Sequence, residues 1–374
     1  MSELQNEIPS ETVIQLIAGA EISNATDVHI VARAGVGSNR GHPRIWFRNC
    51  GRLGLALNWN NLTDSEGATL PGLTMHALKQ TIFRREDPSA GIRVIRSSRR
   101  QIRARLNKTL NGEEIVLRFQ PRTPPPLGDC FKGSPAVVEA LRNATGLVVV
   151  CGPQGAGKST LASSIVEIWA NEKRHIRTIE DPVEYLLDPI QGIVSSVEVS
   201  FSQNDSLGAS PLDAALRDAL RSDIDGLMVG EVRTGPDMAS TLNVCGAREP
   251  VVTTLHARSI MDAILRILNL ASKHMDDDVA RRSLAQCLDT ILYVDLAYSK
   301  EGRPVPVVLS APFGAPSIRK NIAEGTRSSM LQALTTAFEG GMVPGTIRKD
   351  VAIDNAKRSG GTEASILAAL PPSN

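Results

Sequence analysis

A glycine-rich loop directly after an apolar run constrains the fold of this chain more than any other feature. The run is LVVVC, residues 147–151, and the loop is GPQGAGKST, residues 152–160. The loop matches the pattern G-x-x-x-x-G-K-[ST], in which glycines let the backbone aim its N–H groups at a phosphate. A helix that starts there adds the positive end of its dipole. The sequence therefore predicts a strand, a phosphate-binding loop and a helix, the opening unit of an α/β domain.

The residue types in the loop indicate a bound nucleotide phosphate together with Mg²⁺, and by themselves they leave a kinase, a switch and a motor open. We expect Lys158 to bridge the β- and γ-phosphates and Ser159 to be a ligand of Mg²⁺. The residues expected to bind the nucleotide are Gly152, Pro153, Gln154, Gly155, Ala156, Gly157, Lys158, Ser159 and Thr160.

Polar residues stand where three other apolar stretches end: Glu184 in TIEDPVEY, Glu231 in LMVGEVR and His256 in VVTTLHARS. From about residue 131, predicted strands and helices alternate, which indicates a parallel sheet covered by helices on both faces. Ligands of such sheets bind at the carboxyl ends of the strands, so we expect these side chains to lie beside the loop. Carboxylates there can hold Mg²⁺ and orient water, and a histidine can hydrogen-bond a γ-phosphate.

The first part of the chain has the pattern of a separate, mixed α/β domain. Residues 11–23 have the apolar spacing of a helix, and Asn111-Gly112 between two alternating runs predicts a β-hairpin. The stretch QPRTPPPLGD then holds the chain extended. We place an N-terminal domain at 1–120, a Pro-rich linker at 121–130 and the phosphate-binding domain at 131–374, with a helical C-terminal region at about 300–374.

Composition narrows the class of protein. The formal net charge is +1, which gives no overall attraction to nucleic acid or to anionic lipid. The five cysteines are odd in number and contain no CxxC pair, which argues against a disulfide framework and a zinc site. No run approaches the length of a membrane span and the first residues are not basic. We therefore expect a cytoplasmic protein.

Four stretches together resemble the type II/type IV secretion ATPase superfamily, and within it the pilus-retraction ATPase branch. They are GPQGAGKST, TIEDPVEY, ALRDALRSDIDGLMVGEVR and TTLHARS, in this order. They are similar to the family's Walker A motif, Asp box, Walker B region and His box. TDVHI, RARLN, LRFQP and SIRKNIAEG extend the resemblance over most of the chain.

The resemblance implies a PAS-like N-terminal α/β domain followed by a RecA-like P-loop NTPase domain with a helical C-terminal region, and it implies ATP with Mg²⁺ as the cofactors. It implies that Glu184 activates the attacking water, that Glu231 steers the metal ion and water, and that His256 senses the γ-phosphate. Arg105 and Arg118 match family arginines that reach nucleotide across or between subunits, as does Arg103. These three arginines can equally be solvated residues of a strand face.

Family members are homohexameric motors, so the resemblance also implies a ring that works beside inner-membrane secretion or pilus platform proteins, with peripheral membrane contact.

The sequence departs from the family motifs at two places, which limits the residue roles that the resemblance implies. The stretch CGAREP stands where the family often has Thr-Gly-His, and Thr234 stands where an acid usually follows the Walker B arginine. The PPPL linker and the short tail resemble ATPases of type IVB conjugation and effector-secretion systems more than they resemble pilus retraction motors.

Two other functions remain open at this point. The first is a RecA-like nucleic-acid translocase, because the stretch 84–108 is dense in arginine. That stretch lacks the aromatic residues on which bases stack, and we expect no specific nucleic-acid partner. The second is a nucleotide-gated scaffold that does not hydrolyse ATP, against which the carboxylates Glu184 and Glu231 argue.

Overall fold

A computed structural model of the chain describes residues 11–23, 25–33, 42–49, 52–70, 73–83, 92–96, 100–110, 112–121, 123–199, 211–245, 249–339, 343 and 345–371. The chain divides into two compact units, Met1–Arg122 and Thr123–Asn374. Each unit has its own hydrophobic core.

The first unit combines an antiparallel sheet with helices. Its described elements are α1 (Glu11–Ile22), β1 (Asp27–Arg33), β2 (Arg44–Asn49), β3 (Arg52–Leu55), a 3₁₀ turn (Trp59–Asn61), α2 (Met75–Phe83), β4 (Ile92–Arg96), β5 (Arg100–Thr109) and β6 (Gly112–Pro121). Within the described part, the strand order is β3-β2-β1-β6-β5-β4, and all neighbours are antiparallel. The hairpin predicted from Asn111-Gly112 is confirmed as β5–β6.

Alternation along the strands decides which face of this sheet is covered. In β5, Ile102, Ala104 and Leu106 are buried while Arg105 is exposed. The buried side chains share one core with apolar residues of α1 and α2. The helices therefore pack on one face of the sheet, and the opposite face has the polar residues. This is the PAS-like α/β domain that the sequence predicts.

The second unit is built around a mostly parallel sheet. Its described elements are α3 (Leu127–Cys130), α4 (Pro135–Arg142), β7 (Leu147–Gly152), α5 (Lys158–Ala170), β8 (His175–Glu180), β9 (Ile193–Glu198), α6 (Pro211–Leu220), β10 (Gly226–Glu231), α7 (Gly235–Val244), β11 (Val251–His256), α8 (Ile260–Ala271), α9 (Asp277–Cys287), β12 (Leu288–Tyr298), β13 (Pro304–Pro312), α10 (Pro316–Glu324), α11 (Arg327–Glu339), α12 (Lys349–Arg358) and α13 (Glu363–Ala369).

The sheet order places the phosphate-binding loop at the centre of this unit. Over the described residues it runs β13-β12-β7-β11-β10-β8-β9, and only β13 is antiparallel to its neighbour. Every residue of β7 is buried, as expected for a strand covered on both faces. The carboxyl ends of β7, β8, β10 and β11 therefore meet at one edge, where the RecA-like fold predicted from the sequence binds ligands.

Two segments differ from the expected boundaries. The stretch from 300, expected to be helical, begins with the strand β13, and helices start only at Pro316. The physical reason is the run VPVVLSA, whose side chains are largely buried against β12. The second half of the expected linker forms α3, and the buried Leu127 joins the core of the second unit.

None of the helices in the described ranges combines the length and the apolar character that crossing a membrane requires.

Candidate functional site

The glycine-rich loop has the backbone shape that a phosphate cradle requires. Gly157 adopts φ +87°, in the left-handed region, and α5 begins at the next residue. Only glycine adopts this conformation without strain. At Gly152 the limit is space, because an added Cβ would lie 2.1 Å from the carbonyl oxygen of Val294. The loop is therefore seated on β12, and its glycines are required by backbone geometry.

Lys158, the first residue of α5, is buried and directed back into the loop. Its Nζ donates to the carbonyl oxygen of Pro153 at 2.7 Å and lies 3.1 Å from Nδ1 of His256. Burial lowers the pKa of Lys158, and the negative charge of Glu231 opposes that shift. The ammonium thus lies where strands β7 and β11 end, between the loop and the His box.

His256 lies between Lys158 and Glu231, hydrogen-bonded to the lysine and in close contact with the carboxylate. Nε2 of His256 lies 3.1 Å from Oε1 of Glu231. Because an ammonium only donates, Nδ1 of His256 accepts from Lys158, and a neutral His256 then carries its ring hydrogen on Nε2, the nitrogen that faces Glu231. Burial and the charge of Lys158 lower the pKa of His256, which favours this neutral form. The structure therefore brings together three residues that lie far apart in the sequence.

The other oxygen of Glu231 is held by Arg233. Nε and Nη2 of Arg233 donate to Oε2 at 2.8 and 2.5 Å. Arg233 is the arginine of the Walker B stretch LMVGEVR. An arginine two residues after a carboxylate at a strand end was the available signal.

The Asp box lies beside the start of α5. The hydroxyls of Tyr185 and Thr160 are 2.9 Å apart, and the charge of the half-buried Glu184 is close enough to Lys158 to oppose, in part, the lowering of the lysine's pKa by burial. The backbone N–H of Glu184 donates to Oε2 of Glu180 at 3.4 Å. Glu180 is buried, and burial raises its pKa to about 7. Tyr185 and Glu180 thus position the turn that presents Glu184.

The oxygen donors in the site fit a magnesium ion that also binds phosphate. Ser159 supplies a half-buried hydroxyl and Glu231 a carboxylate, both hard ligands of the kind Mg²⁺ prefers. Among the described residues, no cluster of three or more His, Cys, Asp or Glu could hold a metal ion by itself. Mg²⁺ usually retains several waters and takes further ligands from phosphates.

Asp295 is a charged residue near the site that sequence reasoning missed. It lies on β12, where burial raises its pKa and the charge of Lys158 opposes the shift. The register between β12 and β7 pairs Tyr293 with Cys151, so Asp295 stands level with the start of the loop. The acid within the apolar run ILYVDLAY was the signal that could have found it.

The expected arginines of the first unit lie on the polar face of its sheet. Arg105 is exposed on β5, and Arg118 on β6 is also exposed. Nε of Arg118 donates to Oδ1 of Asp27 at 2.8 Å. Arg103 is the register partner of Arg118. Much of the arginine-rich stretch 84–108 lies outside the described residues, at 84–91 and 97–99.

A comparison with known protein families agrees with the fold and the motifs of the second unit. The sequence profile of the family described as type II/IV secretion system protein matches residues 5–304. The chain belongs to this family.

Two curated relatives are similar to the chain over part of its length. It is 30% identical over 236 residues to YggR of Escherichia coli strain K12, covering 62% of this chain and 69% of YggR. It is 33% identical over 198 residues to the type IV pilus retraction ATPase PilT of Pseudomonas aeruginosa strain PAO1, covering 53% of this chain and 55% of PilT. The second alignment thus spans little more than half of PilT.

Solved structures of family members share the fold over almost the whole chain. The ATPase DotB of Legionella pneumophila matches with a TM-score of 0.71 at 21% identity, covering 98% of this chain and 97% of DotB. The pilus retraction motor PilT with bound ADP matches with a TM-score of 0.67 at 22% identity, covering 93% and 97%. These matches establish the two-domain family fold, with a RecA-like core and C-terminal helices.

The departures from the family pattern have local explanations where the structure describes them. Thr234 is the N-cap of α7: its Oγ1 accepts from the N–H of Asp237 and donates to Oδ2 of the same residue at 2.6 Å. A threonine thus takes a capping role at a position where the family usually has an acid. Residues 246–248 of CGAREP, including Arg248, lie outside the described residues. SIRKNIAEG lies largely on α10, where Nη1 of Arg319 donates to the carbonyl oxygen of Gln286 at 2.9 Å.

Proposed function

We propose that this chain hydrolyses ATP and uses the energy for mechanical work in a secretion, conjugation or pilus apparatus. The observation that carries the proposal is the convergence of Lys158, His256 and Glu231 beside the glycine-rich loop, where His256 lies 3.1 Å from the lysine and 3.1 Å from the carboxylate. Family membership supports it, since the family consists of secretion system proteins. A site that only held phosphate would not need carboxylates close to the lysine.

In this proposal each residue of the candidate site in the second unit has a defined role. The loop N–H groups and Lys158 bind the β- and γ-phosphates, and His256 hydrogen-bonds the γ-phosphate. Glu184 accepts a proton from the attacking water. Ser159 and Glu231 would hold Mg²⁺, which when bound neutralises charge on the phosphate oxygens.

We further propose that the active form is a homohexamer whose first units contribute arginine to the nucleotide. Arg105 and Arg118 are the candidates because both are exposed on the sheet face that α1 and α2 leave uncovered. In line with relatives that bear the names of a pilus retraction ATPase and the ATPase DotB, the ring would work in the cytoplasm beside an inner-membrane complex. The type IVB-like assignment within the family is part of this proposal.

The decisive experiment measures phosphate release by the full chain with Mg²⁺ and ATP. We expect Lys158→Ala to reduce turnover by at least about a hundredfold, because the lysine contributes to charge stabilisation in the transition state. The matched control is Lys357→Ala, which removes an exposed lysine that pairs with Glu363 on the surface. Undiminished hydrolysis by Lys158→Ala would exclude the site assignment.

The hexamer is tested separately by sedimentation velocity with and without a non-hydrolysable ATP analogue. A ring predicts a discrete species six times the mass of the chain, stabilised by nucleotide. A monomer under both conditions would exclude the ring. Absence of turnover alongside tight ATP binding would favour the nucleotide-gated scaffold. Salt-sensitive binding to single-stranded nucleic acid, with stimulated turnover, would favour the translocase.

A further inference from the structure

The two carboxylate oxygens of Glu231 have different partners. Oε1 faces Nε2 of His256 at 3.1 Å, and Oε2 accepts from Nε and Nη2 of Arg233 at 2.8 and 2.5 Å. A carboxylate with a guanidinium at one oxygen and an imidazole at the other has a defined rotation about its Cγ–Cδ bond, because each oxygen has its own partner. The orientation of Glu231 is therefore set by Arg233 on one side and His256 on the other.

Lys158 is a competing partner for this carboxylate. The ammonium is buried and lies 3.1 Å from Nδ1 of His256, whose Nε2 faces Glu231. Glu231 is the strongest of the negative charges acting on Lys158. In a partly desolvated site, an ammonium and a free carboxylate oxygen attract each other strongly. If Oε2 lost its donors, the carboxylate could turn toward Lys158 and form a direct ion pair.

Such a pair would compete with the ligand of the loop. An ammonium that is neutralised by a carboxylate has less affinity for phosphate, since the phosphate would first have to displace the carboxylate. We propose that Arg233 is a positioning residue that holds Glu231 toward His256 and away from Lys158, so that the lysine stays available to a nucleotide phosphate. The inference rests on the proposed function in taking a nucleotide as the ligand.

The surroundings of Arg233 favour this role over a packing role. Its side chain is 59% exposed, so its removal leaves no cavity in the core. The next residue, Thr234, caps α7, which ties the backbone that follows Arg233 to the first turn of that helix. Asp181 of the Asp box adds a second negative charge near the guanidinium. Arg233 thus reaches Glu231 from a fixed point at the rim of the site.

The test measures the affinity of the full chain for ADP by isothermal titration calorimetry in EDTA, so that magnesium ligation by Glu231 does not enter. We expect Arg233→Gln to weaken ADP binding about tenfold, the scale of hydrogen bonds to a charged group. Arg233→Lys keeps the positive charge and should recover part of the affinity. The control Arg303→Gln removes an arginine that is 79% exposed and should bind as the unaltered chain does.

The double variant Arg233→Gln with Glu231→Gln separates positioning from damage to the fold. Because the neutral amide cannot pair strongly with Lys158, we expect it to restore ADP affinity to within about twofold of Glu231→Gln alone. If the double variant binds as weakly as Arg233→Gln, the positioning role is overturned. Equal ADP affinity of Arg233→Gln and the unaltered chain would also overturn it.

Failure of this inference is distinguishable from failure of the proposed function. Loss of ADP binding in Lys158→Ala, with unchanged binding in Arg233→Gln, overturns the role of Arg233 and leaves the nucleotide site in place. No ADP binding by the unaltered chain overturns both.

Discussion

At the residue scale, burial decides the charge state of Glu180 at the end of β8. This side chain is 5% exposed, and burial raises its pKa to about 7 from an ordinary value near 4.5. An added Cβ on Gly230 would lie 3.4 Å from Cγ of Glu180, so the aliphatic part of this side chain lies against Gly230 of the neighbouring strand β10. Between these two pKa values the folded chain binds a proton that the unfolded chain has released.

The stability contribution of that proton has a definite sign. It is fully present below about pH 4.5 and is lost as the pH rises through about 7. We therefore expect Glu180→Gln to gain stability relative to the unaltered chain between pH 5 and pH 8, by up to about 3 kcal/mol. Urea unfolding of both proteins at the two pH values measures the difference. The exposed Glu324→Gln is the control for the substitution itself, and a pH-independent effect of Glu180→Gln would contradict the prediction.

At the scale of elements, the start of α7 depends on one side chain. Thr234 accepts from the N–H of Asp237, and Thr234→Ala would leave that first-turn donor without its cap. We expect a loss of about 1 kcal/mol and a lower Tm by about 2–4 °C, the usual scale for a domain of this size. Thr234→Ser keeps the hydroxyl and should unfold close to the unaltered chain in thermal denaturation. Equal losses in the two variants would show that the cap is not the cause.

At the scale of the whole molecule, the chain has two units with separate cores, and the proposed function assigns nucleotide-contacting arginines to the first unit. The prediction concerns Arg118, which is 61% exposed and pairs with the largely buried Asp27. If Arg118 contacts nucleotide, Arg118→Ala should lower kcat about tenfold or more, as should Arg105→Ala. Loss of the ion pair alone should cost less than about 1 kcal/mol of stability, because solvent screens an exposed guanidinium.

Asp27→Asn is the matched control, since it breaks the ion pair and keeps Arg118. Phosphate release and thermal unfolding, measured on all three variants, separate the two roles. A kcat for Asp27→Asn as low as that of Arg118→Ala would mean that the pair, and not the arginine's contact with nucleotide, matters for turnover.

Much of the fold could be predicted because local patterns carry it. The loop GPQGAGKST, the Asn111-Gly112 hairpin and the alternation of apolar strands with helices each depend on neighbouring residues. The boundary near 300 could not be placed in this way, because β13 owes its conformation to pairing with β12. The helix α3 at the end of the expected linker could not be predicted either, because its Leu127 packs into the core of the second unit, which local sequence does not reveal.

The sequence by itself determined which residues could bind phosphate and that Glu184, Glu231 and His256 follow strands of one sheet. Only the tertiary structure decided which atoms meet: Nδ1 of His256 with Lys158 and Nε2 with Glu231. It also decided that Arg233 takes the remaining oxygen of Glu231 and that Asp295 stands near the loop. The physical reason is that hydrogen bonds and burial depend on distances between segments far apart in the chain, and those distances exist only once the strands are ordered in the sheet.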